Sequence, residues 1–196
     1  MYETPTKITI TDESIISKLA SIVMPEVRDG IYYDPTVLTP RPPEERVFTT
    51  SAEKLDAIRS SPNQEQYSNC CLENDRLAIR IRTLDCPNLP ELQAWVEQQF
   101  PNYTFSKSNG IVYPPGGYLG WHTNADRPGL RFYLHWIEDV GQASFKYWDG
   151  TQVVNDVENE QCFIRIFNVT DMTSPLWHCV YSNTWRVSVG FYMEEK

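Results

Sequence analysis

No apolar run in this sequence is long enough to cross a bilayer as a helix, so a membrane-spanning helix is not expected. Basic residues are scarce: 17 Lys and Arg stand against 26 Asp and Glu, for a net charge of −9. A chain of that sign repels a phosphate backbone, and a nucleic-acid partner is not expected. The five cysteines, at 70, 71, 86, 162 and 179, show no zinc-type or redox-type spacing. Reduced, structural thiols are the reading that remains. The first residues, Met1 to Pro5, lack the basic start and apolar stretch of a signal peptide, so a cytoplasmic location is expected. There is no internal repeat and no low-complexity segment. Histidine is the rarest chemistry-bearing residue, with three copies, at 122, 135 and 178.

Aromatic residues, by contrast, are abundant. Six Trp and eleven Tyr in 196 residues suit a pocketed β structure. Helical spacing is confined to the first half. Ile15, Ile16, Leu19, Ile22 and Val23 form one apolar stripe, which predicts a helix over Thr11–Met24 capped by Thr11 and stopped by Pro25. Shorter helices are predicted over Ser51–Ser60 and Leu89–Phe100, and an extended, proline-rich loop over Tyr32–Arg46. Alternation predicts one strand over Arg76–Leu84, with Arg80 and Arg82 on a solvated face.

From Phe105 onward the helical period disappears. Short strands follow at 108–113, 119–124, 130–136, 144–148, 152–154, 162–168, 178–181 and 185–193, with turn signals between them. The fold expected is mainly β with flanking helices: a sandwich or barrel core at 105–196, buttressed by a support region at 1–104, in one domain.

The candidate chemistry lies in that second half. His122 follows the turn-rich stretch Tyr113-Pro-Pro-Gly-Gly-Tyr-Leu-Gly-Trp-His122. On a strand running to Asn124, His122 and Asn124 project to one face. His178 opens a second short strand. On the last strand Arg186 and Ser188 share a face, and an inward-pointing Arg requires an anionic partner. His135 has no partner at ligand spacing and is read as non-ligating.

Tyr113, Gly116, Gly117 and His122, then Arg131-Phe-Tyr-Leu-His-Trp136, then Gly141-Gln-Ala-Ser-Phe145, then His178, Arg186 and Ser188, occur in an order that resembles the Fe(II)/2-oxoglutarate-dependent oxygenases, in particular their prolyl-hydroxylase-like branch. The resemblance covers residues 103–193. It implies a double-stranded β-helix, of the jelly-roll or cupin kind, that uses Fe(II), 2-oxoglutarate and O2. It further implies His122 and His178 as metal ligands and Arg186 as the anchor of the 2-oxoglutarate carboxylate, helped by Ser188 and by Tyr113 or Tyr133. The expected activity is that of a dioxygenase, hydroxylating a small molecule or a protein side chain.

The sequence departs from the pattern at one place. Asn124 stands where the carboxylate ligand is expected, and Asp126 offers a carboxylate two residues on. Either Asn124 or Asp126 supplies the third ligand. Alternatively, productive iron chemistry is lost and the chain is a non-catalytic β-helix binding protein.

Overall fold

The computed structural model describes residues 4–23, 42–72, 75–80 and 88–196. Two antiparallel sheets face each other. The larger has the order β1-β9-β6-β11-β4-β3 and the smaller β2-β5-β10-β7-β8. The strands are β1 Thr6–Thr9, β2 Arg76–Leu77, β3 Ile79–Arg80, β4 Tyr103–Tyr113, β5 Gly117–His122, β6 Gly129–Ile137, β7 Ala143–Trp148, β8 Val153–Val157, β9 Cys162–Val169, β10 His178–Ser182 and β11 Arg186–Glu195. The helices are α1 Glu13–Ala20, α2 Pro43–Thr49, α3 Ala52–Arg59 and α4 Leu89–Gln99. The architecture is the double-stranded β-helix that the sequence resemblance implied.

Side-chain alternation in the larger sheet separates two environments. Phe132 and Leu134 of β6, Ile164 of β9, and Val187 and Val189 of β11 pack with Ile15 and Leu19 of α1 and Leu92 and Val96 of α4. The intervening residues, Tyr133, His135, Arg165, Phe167, Arg186 and Ser188, point between the sheets and line a pocket. On the other side Trp121 of β5 and Cys179 of β10 pack under α3 through Leu55 and Ile58. The helices therefore cover the outer faces and leave the space between the sheets to polar chemistry.

Several local expectations are corrected. The first helix starts at Glu13, and its cap is Asp12, whose carboxylate accepts from the backbone of Ser14 and Ile15. Asp12 is a strong cap and also sits at the positive end of the helix dipole, so it displaces Thr11. Residues 43–46 are helical within α2, with Pro43 at the first position, where a missing N–H costs nothing. The rest of the proline-rich segment, 32–41, lies outside the described residues. The single strand over 76–84 is two bridges instead. β2 pairs with β5 and β3 with β4, so the chain passes from one sheet to the other at Ala78. Residues 81–84, with Arg82, and Cys86 lie outside the described residues. β1, which alternation did not flag, adds to the edge of β9.

Two glycines are required by geometry. Gly116, at φ 76°, makes the turn into β5, closed by the Gly117 amide on the Pro114 carbonyl at 2.7 Å. At Gly190 a Cβ would meet Tyr133 Cε1 at 2.5 Å, so its bare backbone makes room for the Tyr133 ring.

Candidate functional site

β5 ends at His122, two residues earlier than predicted. Asn124 then adopts φ 57°, a left-handed conformation that Asn tolerates better than most residues. The strand argument for placing His122 and Asn124 on one face thus fails locally. The turn nevertheless delivers the same neighbours: Asn124 Nδ2 lies 3.2 Å from His178 Nε2. His122 and His178 face each other directly in the β5–β10 register, and their rings are 4.2 Å apart, centre to centre.

Both imidazoles are oriented by their own backbone. His122 Nδ1 is 2.8 Å from the Gly120 carbonyl, and His178 Nδ1 is 2.9 Å from the Leu176 carbonyl. A carbonyl only accepts, so each Nδ1 carries a proton and each Nε2 is turned away from that carbonyl. Burial, and next the neighbouring His122, push His178 well below the usual imidazole value, so it stays neutral. Two imidazoles whose Nδ1–H donors are fixed by backbone carbonyls are suited to hold a divalent metal. The Asn124 amide lies beside the pair; turned by half a rotation it would present Oδ1 to His178. Asp126 is exposed, its amide donates to the Ser68 carbonyl at 3.2 Å, and it does not line the pocket. Among the described residues no three His, Cys, Asp or Glu side chains are grouped to hold a metal.

The pocket, counted with the open solvent at its mouth, spans about 410 Å³. His122, Asn124, His178, Tyr113, Tyr133, Arg186 and Ser188 all line it. Burial holds both phenols protonated across the physiological range, with Tyr133 pushed up to about 12 and Tyr113 also raised. Arg186 is 1% exposed and lies over the Tyr113 ring at 5.1 Å.

The anionic partner that Arg186 requires comes from the chain itself. Glu158, fully buried just after β8, accepts from Arg186 Nε at 2.7 Å and from Nη2 at 2.9 Å. Its Oε1 also accepts from Arg165 Nη1 at 2.6 Å. Burial pushes the Glu158 carboxyl up, but Arg186 and then Arg165 overturn that and hold it well below the usual carboxylate range. Sequence reasoning missed both Glu158 and Arg165. Arg165 had left a signal, as one charge inside the apolar strand Cys162-Phe-Ile-Arg-Ile-Phe167.

His135 is buried against this cluster. Burial, and next the positive Arg186, push its imidazole well below the usual value; Arg165 acts the same way, and Glu158 opposes. The folded protein keeps His135 neutral where the unfolded chain protonates it. That contribution to stability is complete above the unfolded value of about 6.5 and is lost as the pH falls below it. The expected slope is about 1.4 kcal/mol per pH unit for one proton. Urea unfolding from pH 7.5 to 5.5 checks this: His135→Gln should be less acid-sensitive than the parent by that amount.

No protein-family model matches the sequence, and no curated protein matches it. Solved structures do match. A prolyl-4-hydroxylase from Pseudomonas putida aligns over 98% of this chain and 92% of its own, with a TM-score of 0.51 and 12% identity. A prolyl hydroxylase from Trichoplax adhaerens, solved with a peptide of the hypoxia-inducible factor oxygen degradation domain, aligns over 97% of this chain and 83% of its own. Its TM-score is 0.53, at 13% identity. This is a prolyl-hydroxylase-like fold. At such identities the likeness speaks for the architecture. Within the prolyl-hydroxylase-like fold, this chain places Asn124 beside the two imidazoles and Glu158 behind Arg186.

Proposed function

We propose that this chain is an Fe(II)- and 2-oxoglutarate-dependent dioxygenase that hydroxylates a small molecule or a protein side chain. The observation that carries the reading is the imidazole pair, with both Nδ1 atoms tied to backbone carbonyls in a pocket that buried arginines also line. Bound iron supplies dioxygen activation coupled to oxidative decarboxylation of the 2-oxo acid. The chain's residues do the rest. His122 and His178 hold the metal, with the Asn124 amide as the third donor. Arg186 and Ser188 receive the remote carboxylate, and the protonated Tyr113 and Tyr133 donate hydrogen bonds to the same group. Phe145, Phe167 and Val180 line the pocket and keep water from the bound acid.

The test is anaerobic addition of Fe(II) and 2-oxoglutarate to the purified protein. A weak visible charge-transfer band from the chelated 2-oxo acid is expected. If 2-oxoglutarate binds and no band forms, the dioxygenase reading falls. One observation favours a second reading, a non-catalytic binding protein of the same fold: Asn124 is a weaker ligand for Fe(II) than a carboxylate. That protein would bind the acid without the band.

A further inference from the structure

We propose that Arg131, Tyr192 and Arg127 form a carboxylate clamp beside the pocket, and that it selects a primary substrate carrying a carboxylate. The inference rests on the dioxygenase reading above and deepens it by naming the chemical class of the substrate.

The strand register gives the clamp its place. Tyr133 of β6 stands opposite Gly190 of β11, and two residues away on the same face Arg131 stands opposite Tyr192. Tyr133 lines the pocket, as do Asn109 and Asn124. Arg131 is near the start of β6, which follows the turn that carries Asn124. Arg186 is elsewhere: it opens β11, and the stretch of strand between it and Tyr192 is about 20 Å long at the usual rise per residue.

Arg131 is 3% exposed. Its Nη2 donates to the Arg127 carbonyl, and its guanidinium lies 4.4 Å from the centre of the Tyr192 ring. The Arg127 guanidinium lies over the same ring at 3.5 Å. Among the described residues neither arginine forms an ion pair with a carboxylate. Asp126 and Glu194, on the adjoining segments, are exposed. Arg165 and Arg186, equally buried, are both paired with carboxylates. Burial, the largest influence, pushes Arg131 below the usual arginine value, whereas Glu158 helps raise Arg186 above it.

A ring face and a backbone carbonyl offset only part of the cost of burying a full charge. Two guanidiniums on one ring also repel each other. A carboxylate answers both, because its two oxygens accept from two forks and its charge lies between two cations. Asp126 and Glu194 make the neighbourhood unfavourable to a doubly charged phosphate, so a singly charged group fits better. Arg127 is exposed and within reach of an entering ligand.

The test uses Mn(II)-supplemented protein with N-oxalylglycine, an unreactive mimic of 2-oxoglutarate, occupying the Arg186 end. Two probe pairs are titrated by calorimetry, each pair differing by one charge: 4-acetamidobutyrate against its primary amide, and capped Ala-Ala-Glu-Ala-Ala against capped Ala-Ala-Gln-Ala-Ala. In the parent an acid should bind about tenfold more tightly than its amide. Preference for the small acid marks a free carboxylic acid as the substrate; preference confined to the pentapeptide marks an acidic peptide. Arg131→Gln should remove the preference and Arg127→Gln should reduce it, with N-oxalylglycine binding as in the parent.

No acid preference in the parent overturns the inference, and so does a parental preference in Arg131→Gln, whose thermal transition checks that it folds. If Arg131→Gln does not fold, the exposed Arg127 decides: parental preference in Arg127→Gln overturns the inference. The dioxygenase reading fails separately. If N-oxalylglycine does not bind while metal-free protein keeps an Arg131-dependent acid preference, the clamp stands and that reading falls. If N-oxalylglycine binds and neither acid is preferred, the clamp alone falls.

Discussion

Arg186→Ala is expected to weaken the fold itself, as well as to remove a ligand contact. The substitution strips Glu158 of its two-point partner and leaves a fully buried carboxylate held by Arg165 Nη1 alone. Truncating one side of a buried pair strands the other charge, at a cost of about 3–5 kcal/mol. Chemical unfolding at neutral pH should show that loss. Arg186→Ala combined with Glu158→Ala should recover a large part of it, because the stranded charge goes with its partner. If the single mutant is as stable as the parent, the Glu158–Arg186 pair is not formed in solution as drawn. Acid acts in the same direction. Glu158 is held below its unfolded value, so its contribution is present above the ordinary carboxylate range and disappears as the pH falls through the lowered folded value.

The second large effect concerns the metal. His122→Ala and His178→Ala should each remove most Fe(II) affinity, since a lone imidazole leaves the ion largely hydrated. Calorimetry with Mn(II), a redox-inert substitute, gives the measurement. Asn124→Asp should tighten binding, because a charged oxygen replaces a neutral amide next to His178 Nε2. Asp126→Asn should change it little, because Asp126 is exposed and outside the pocket. If either histidine variant binds metal as well as the parent, that ring is structural and the proposed centre is wrong. A loss in Asp126→Asn with no gain in Asn124→Asp would move the third donor to Asp126.

The architecture was legible because strand alternation and turn residues are local signals. Leu130 to Trp136 reads as a strand from its own sequence, and the structure extends it by one residue at each end. The presence of His122, Asn124, His178, Arg186 and Ser188 at one pocket was legible from their order along the chain; their roles remain for the experiments above. Other features depended on geometry that no local window contains. Glu158 meets Arg186 across 28 residues of sequence, and nothing in Val157-Glu158-Asn159 distinguishes it from a surface carboxylate. Arg186 announced the need for an anion without naming its source. The crossing at Ala78 was hidden because Arg76 to Leu84 alternates as if it were one strand, while its pieces pair with different sheets. Asn124 was placed by strand logic, whereas its actual position comes from a left-handed turn.

β11 lies between β6 and β4 in the larger sheet, flanked on both sides over most of its length. It is also the last of the described strands to leave the ribosome. Until it arrives, β4 and β6 have an unfilled slot between them, and the apolar residues that will cover α1 and α4 have no central rib to pack on. Pairings this distant in sequence close slowly, because the loop entropy is spent before the contacts form. The nascent chain therefore emerges with two open strand borders, a state in which strands of neighbouring chains can compete for the slot. Since β11 also carries Arg186, the arrival that closes the sheet is the same event that brings Glu158 its partner. The pocket and the larger sheet mature in one step, when β11 docks.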